Sequence, residues 1–282
     1  MKILLTGGAG MLARTLSRGW SEHTVVAPDR STLDVTTLES VTAALTAHGP
    51  ATVVHCAAHT KVDACETEVD RAYAINAIGS ANVAIACQRA GVRLIAISTD
   101  YVFRGDLDRP YHEWDAVGPR TIYGASKLAG EEAIRHHCPD HVIARVAWLY
   151  GAGGPSFVHT MLKLGAQTGP DLRVVADQIG NPTSTDAVAA GLRPLLAPGG
   201  PVGIFHLTCA GEATWFDFTK AIFSQRGLTR GVVPCATHEY PRPAPRPANS
   251  RLDKMALRLQ GLPGMMPWEE ALERFLRAFP AG

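Results

Sequence analysis

Five residues, Lys2–Thr6 (KILLT), run directly into Gly7-Gly8-Ala9-Gly10-Met11-Leu12-Ala13. The near-continuous apolar run suits a parallel strand covered on both faces. The spacing G-x-x-G-x-x-A then opens a helix predicted to reach about Gly19. Gly7 permits the tight turn after the strand, Gly10 lets backbone approach a pyrophosphate, and Ala13 is small enough for helix and strand to pack. The helix N-terminus offers unpaired N–H groups and the positive end of its dipole to phosphates. Between the first strand and the first helix, this trio points to a dinucleotide cradle.

The alternation continues. Strands are predicted at Thr24–Pro28, Thr52–Cys56, Val92–Ile97 and His141–Ala147. Helices are predicted at Thr36–His48, over roughly Glu66–Ala90, and from Tyr123 to about His137. An unbroken βαβαβαβαβ order implies an α/β fold with a doubly wound parallel (Rossmann) sheet and helices on both faces. Beyond Gly151 the pattern loosens. Helices are expected at Phe157–Gln167, Thr185–Leu196, Thr214–Gln225 and Pro267–Phe279, with short strands at Val174–Ala176 and Ile204–Thr208. Residues 180–184 read as a turn in which Thr183 or Ser184 caps the next helix. The proline-rich stretch Pro234–Pro247 reads as loop or extended chain.

Composition narrows the function. The 282 residues carry a formal charge of +1, so the chain has no electrostatic footprint for nucleic acid or an anionic membrane. A locally basic pocket for a phosphorylated ligand stays open. No apolar run reaches the ~18 residues of a membrane span, and the apolar run in MKILLTGGAG is too short for a signal peptide. Six cysteines without a Cys-x-x-Cys pair read as reduced thiols of a cytoplasmic protein. His55-Cys56 with His59, and His136-His137-Cys138, lack a second cluster at ligand spacing, so no metal is expected.

The chemistry is expected in TIYGASKLAGEE, Thr121–Glu132. Tyr123 and Lys127 stand four apart, on one face if the segment is helical. A nearby ammonium favours the phenolate and lowers a tyrosine's pKa, giving a proton donor and acceptor tuned toward neutral pH. The same spacing also occurs on many solvated helices. Ser98-Thr99-Asp100 closes the fourth strand, where such sheets bind ligands; capping is the alternative role for these residues. Ala57-Ala58 leave room for a ligand beyond the third strand. Asp29 and Arg30 follow the second strand, where an acid would bond the adenosine ribose and an arginine would favour a 2′-phosphate; two loop charges are the other reading. Asp34 follows in the loop, within reach of an adenine. Near the far end, Arg246 is suited to a phosphate, or to a solvated loop.

Taken together, STDYVF, YGASKLAGE, WLYG and RPANSRL resemble, in this order, an extended short-chain dehydrogenase/reductase of the dTDP-4-dehydrorhamnose reductase family. CAAHTKVDACE, NAIGSAN, TSTDAVAAG and TWFDF extend the resemblance over nearly the whole chain. It implies reduction of the C4 ketone of a dTDP-4-keto-6-deoxy-L-hexose by NADPH or NADH. Tyr123 would be the general acid, Lys127 its partner on the nicotinamide ribose, and Thr99 a hydrogen-bonding group at the reacting oxygen. Gly7, Gly10, Met11, Leu12, Asp34, Val35, Ala57 and Ala58 would surround the dinucleotide. Thr60, Val62, Asp100 and Trp148 would lie on the sugar side, with Asn181 and Arg246 at the nucleotide end. Residues 1–150 with about 183–210 would form the dinucleotide-binding domain, and about 151–182 with 211–282 a smaller α/β substrate domain. A monomer or homodimer is implied. Ala13 replaces the family's third glycine, and Arg30 leaves the choice between NADPH and NADH open. Reduction of a related ketosugar in streptose or antibiotic deoxysugar synthesis, a non-catalytic regulatory subunit and a sugar-nucleotide epimerase are the alternatives.

Overall fold

The apolar strands pair as their patterning requires. In a computed structural model describing residues 1–279, six of them form one sheet. They are β1 (Lys2–Thr6), β2 (Thr24–Val26), β3 (Thr52–His55), β4 (Arg93–Thr99), β5 (His141–Val146) and β6 (Gly203–His206). The order is β6-β5-β4-β3-β1-β2, every pair parallel. Strand order reverses between β1 and β3, and the crevice beyond that switch point is where doubly wound sheets bind ligands.

Both faces are dry. On one, Ile3, Leu5, Val54, Ile95 and Phe205 pack with Leu16 and Trp20 around α1 (Met11–Gly19). On the other, Leu4, Val53, Leu94 and Ile143 meet helices α2 (Leu38–His48), α3 (Gly79–Ala90) and α4 (Ile122–His137). Successive residues of β1 thus bury opposite faces, the period-two geometry of a covered strand. The later helices are α5 (Phe157–Gly165), α6 (Thr185–Leu192), α7 (Trp215–Arg226) and α8 (Trp268–Ala278). A further core joins Val158 and Met161 of α5, Phe218 and Ile222 of α7, and Leu272 and Phe275 of α8. Helix α6 serves two cores, Val188 facing the sheet and Ala187 the C-terminal cluster.

Several expected boundaries move. β2 stops at Val26, and the Pro28 carbonyl instead accepts Gly8 N–H at 3.2 Å. The helix expected over roughly Glu66–Ala90 runs without a gap from Val69 to Ala90, with a wide π-turn at Ala74–Ile78 leading into α3, and a separate short turn at Val62–Cys65 precedes it. Asn76 anchors that π-turn. Its side-chain oxygen accepts His59 N–H at 2.7 Å, and its amide donates to the His59 carbonyl at 3.1 Å. Such turns recur at functional sites. The expected helix at Thr185–Leu196 gives way after Leu192 to a 3-10 turn containing Pro194, whose ring cannot continue the hydrogen-bond ladder. Ser184, rather than Thr183, caps α6 by accepting Ala187 N–H at 3.1 Å.

The expected turn at 180–184 holds three small pairings, Ile179–Gly180 with both Asn249–Ser250 and Ala213–Thr214, and Thr183–Ser184 with Leu149–Tyr150. The proline-rich stretch starts inside a strand, Val232–Cys235, paired with Leu172–Val175. Short helix Met255–Leu259 carries no strong periodic signal and was not expected.

Helix α4 lies unusually close to the π-turn. A Cβ on Gly130 would stand 2.3 Å from the Asn76 carbonyl oxygen and 3.0 Å from Ser80 Oγ. Gly130→Ala should therefore destabilise the chain by about 1–3 kcal/mol through overpacking, seen as a lower urea midpoint at unchanged slope.

Candidate active site

The cradle forms where β1 gives way to α1. Gly7 has φ +67°, and a Cβ there would lie 2.8 Å from Ala57 Cα. Only glycine lets the β1 and β3 ends approach so closely with this backbone. Gly10 caps α1 without a side-chain hydrogen bond, and the first turn of α1 carries no acid. The first N–H groups and the helix dipole are thus offered to an anion. A backbone cradle that a side chain would fill fits a dinucleotide pyrophosphate. Met11 and Leu12 open α1, and Ala57 and Ala58 follow β3 on the same rim. Leu12 and Val35 are largely buried in the flanking cores.

The charges after β2 are unequal in availability. Asp29 Oδ1 accepts Ser31 N–H at 2.9 Å, Ser31 Oγ–H at 2.6 Å and Thr32 N–H at 3.3 Å. These bonds, the Ser31 hydroxyl first, hold its carboxyl below the usual range. Asp34 Oδ1 accepts Thr36 N–H and Oγ–H at 2.9 and 2.8 Å, and its Oδ2 is 4.0 Å from Arg30. The Arg30 side chain is 67% exposed.

Thr99, Tyr123 and Lys127 come together beyond the cradle. The Thr121 hydroxyl accepts Gly124 N–H at 3.0 Å and starts α4. A Cβ on Gly124 would stand 2.2 Å from the Tyr101 carbonyl oxygen, so the first turn of α4 rests directly on the chain leaving β4. Tyr123 is therefore buried against Tyr101, ring centroids 5.5 Å apart. Lys127 is also buried, and its Nζ donates to the Ile97 carbonyl at 2.8 Å.

The electrostatics differ from the expectation. Burial raises the Tyr123 pKa, and a hydrogen bond with Thr99 opposes the rise. No lowering by Lys127 contributes. Burial in turn lowers Lys127 to about 8, with Glu131 opposing. The expected ammonium-driven depression of the phenol is corrected: desolvation outweighs it, and the lysine's proton is held by Ile97. Thr99 Oγ–H donates to Asp100 Oδ1 at 3.0 Å while its oxygen accepts Tyr101 N–H at 3.2 Å. Burial raises Asp100 to about 6, against hydrogen bonds from Ser250 and Thr99.

Beside this cluster opens a cleft of about 720 Å³. Trp148, Arg246, Tyr101 and Ser250 stand on its wall. Trp148 has φ +49°, a strained conformation for a bulky residue. Its ring stacks on Trp215 at 3.4 Å between centroids and 7° between planes. A Cβ on Gly180 would fall 2.5 Å from the same indole, so Trp148 is held between Gly180 and Trp215. Val62 packs in the small cluster around Tyr123, and Thr60 is exposed on the preceding loop.

Two residues expected at the sugar or nucleotide end are bonded within the chain. Asn181 is a buried hub: its oxygen accepts Leu252 N–H at 2.7 Å and Thr208 Oγ–H at 3.3 Å, and its amide donates to the Gly211 carbonyl at 2.6 Å. Those bonds make it a tie between chain segments, so its side chain is already bonded within the chain. Asp100 is buried and accepts the Thr99 hydroxyl proton. The sequence reading missed Arg242, Trp215 and Gln178, which do line the cleft. An i,i+4 arginine pair was visible, but the prolines around it hid any periodic signal.

Comparison with known proteins agrees with this architecture. The family model described as the RmlD substrate binding domain matches residues 1–280. A dTDP-4-dehydrorhamnose reductase of Mycolicibacterium smegmatis is 42% identical, covering 96% of this chain and 84% of the relative. A probable dTDP-4,6-dihydroxy-2-methyloxan-3-one 4-ketoreductase of Streptomyces antibioticus is 41% identical, covering 99% and 95%. The crystal structure of a dTDP-4-dehydrorhamnose reductase from Bacillus anthracis in complex with NADP superposes with a TM-score of 0.95 at 40% identity, covering 99% of each chain. With a family model matched over residues 1–280 and relatives about 40% identical over nearly its whole length, the chain belongs to the RmlD substrate binding domain family.

Proposed function

We propose that this chain is an NAD(P)H-dependent reductase acting on the C4 ketone of a dTDP-4-keto-6-deoxy-L-hexose, converting dTDP-4-dehydrorhamnose to dTDP-L-rhamnose. The observation that carries the reading is the burial of Thr99, Tyr123 and Lys127 between the Gly7–Gly10 cradle and an arginine-bearing cleft. When bound, reduced nicotinamide supplies the hydride. The chain's own residues supply the proton and its environment. Burial keeps the Tyr123 phenol protonated at neutral pH, so it can donate its O–H proton to the carbonyl oxygen as negative charge develops there. We assign Lys127, one helical turn further along α4, to the nicotinamide ribose.

Thr99 has a single proton, given to Asp100 when that carboxylate is ionised. In that state the Thr99 proton is not offered to the substrate oxygen, and its oxygen accepts Tyr101 N–H. When Asp100 is neutral, the Thr99 proton is free for the substrate oxygen. We assign Thr60, Val62 and Trp148 to the sugar end and Arg246 with Arg242 to the diphosphate. Residues 1–150 with about 183–210 carry the cofactor, and the remainder carries the sugar nucleotide. NADPH is the preferred cofactor on this reading, because Asp29 is turned into its own loop while Arg30 is exposed.

A second substrate reading is favoured by the near-equal identities of relatives named for different ketosugars, 42% and 41%. Incubation with each enzymatically prepared dTDP-4-ketosugar, with NMR of the product, separates the two. No consumption of NADPH or NADH with either would sink the reductase reading.

Three outcomes are expected. Tyr123→Phe should lower kcat by at least ~10²-fold while cofactor binding, followed by nicotinamide fluorescence, stays near wild type. Arg30→Ala should weaken NADPH binding roughly tenfold and NADH binding little, read by the same titration. For Asp100 the folded-state pKa is raised to about 6, so the native state binds the extra proton between about 4 and 6. Stability from this group is full below that window and falls as pH rises through it. Asp100→Asn should therefore raise Tm more at about pH 8 than at about pH 4, measured by thermal unfolding at both.

A further inference from the structure

We propose that Asp63 is a positioning residue for the diphosphate end of the substrate, fixing Arg246 across the cleft; this rests on the sugar-nucleotide reading above. Asp63 lies in the helical turn Val62–Cys65, directly after a residue that packs near Tyr123. Arg246 lies in the irregular stretch before Asn249–Ser250, and 183 positions separate the two in sequence. The pair meets fork to fork. Asp63 Oδ2 accepts Arg246 Nη2–H at 2.9 Å, and Oδ1 lies 2.9 Å from Nη1. Oδ1 also accepts Ala244 N–H at 3.2 Å, while Arg246 Nη1 donates to the Ala244 carbonyl at 2.8 Å. Carboxylate, guanidinium and the backbone of Ala244 thus close into a single bonded ring.

The surrounding charges support an ionised Asp63. The Arg246 hydrogen bond, ahead of opposing burial, holds its carboxyl below the usual range, with Ala244 N–H and Arg242 adding to the effect. Arg242 stands 4.0 Å from Asp63 and stacks over Tyr240 at 4.8 Å. Tyr101 also faces the pair and feels both charges. Arg246 has five N–H donors, so Nε–H and other protons stay available beyond the Asp63 contacts. A planar guanidinium recognises a phosphate only when its fork is aimed, and a fixed partner removes the entropy of aiming it. Asp63 therefore touches no substrate atom on this assignment. It acts through Arg246, and it ties the loop of the sugar end to the loop of the diphosphate end.

The test is calorimetric titration of the full chain with dTDP, together with steady-state kinetics. Asp63→Asn keeps an oxygen for Ala244 N–H and removes the charge. It should weaken dTDP binding and raise KM for the ketosugar roughly tenfold, with kcat and NADPH affinity within about twofold. Asp63→Glu should recover most of the dTDP affinity. Arg246→Ala should lose affinity in the wild-type background and little more in the Asp63→Asn background, since the two residues act as one unit. Asp63→Asn binding dTDP as tightly as wild type, or more tightly, overturns the assignment, as does full additivity of the two substitutions. Failure of the wild-type chain to bind dTDP at all overturns the sugar-nucleotide reading, and the Asp63 role with it.

Discussion

The site depends on one buried ion pair. Glu131 of α4 accepts Arg145 Nε–H at 3.0 Å and Nη2–H at 2.7 Å, and the Ser98 hydroxyl also bonds it. Both partners are almost fully buried, 3% and 2% exposed. Arg145 rises from β5, Ser98 from β4 and Glu131 from α4, so three elements are pinned at one point. A charge pair without water holds its geometry because either partner alone would be a desolvated ion, a defect worth about 3–5 kcal/mol. Lys127 lies one turn before Glu131 and Tyr123 one turn before that. The position of the phenol therefore follows from a contact two turns further along the same helix.

Glycines complete what the ion pair begins. Gly130 brings α4 onto the Asn76 carbonyl, and Gly124 brings its first turn onto Tyr101. Asn76 in turn bonds both backbone groups of His59 and donates to Ser126 Oγ at 3.0 Å, so the π-turn, the loop after β3 and α4 share one network. The resulting dryness shapes the chemistry. It keeps the Tyr123 proton on oxygen, lowers Lys127 and raises Asp100, three shifts with the same leading cause. A tyrosine beside a lysine on an exposed helix would show the opposite shift, which is what spacing alone suggests.

The cleft is legible to a lesser degree. Trp148 and Arg246 stand on its wall, whereas Asn181 is consumed by bonds to residues 208, 211 and 252. A polar side chain in a turn looks the same from sequence whether it faces a ligand or closes a gap between segments. Trp215 opens α7 in an ordinary amphipathic pattern, and only its stacking on Trp148 reveals a cleft residue. Arg242 and Asp63 gain their roles from a contact between segments far apart in the chain.

By itself the amino-acid sequence determined the alternating sheet, the cradle at Gly7–Gly10, the helix bearing Tyr123 and Lys127, and the family, because these are written in short-range periodicity and contiguous motifs. Its helix limits drifted where a proline intervened, as at Pro194. The tertiary structure alone decided which polar groups are exposed and which are spent: Arg30 exposed beside Asp34, Asp29 bonded within its own loop, Thr99 committed to Asp100, Arg246 held by Asp63. Those outcomes depend on burial and on pairings across as many as 183 positions, and neither desolvation nor a distant partner leaves a trace in local spacing.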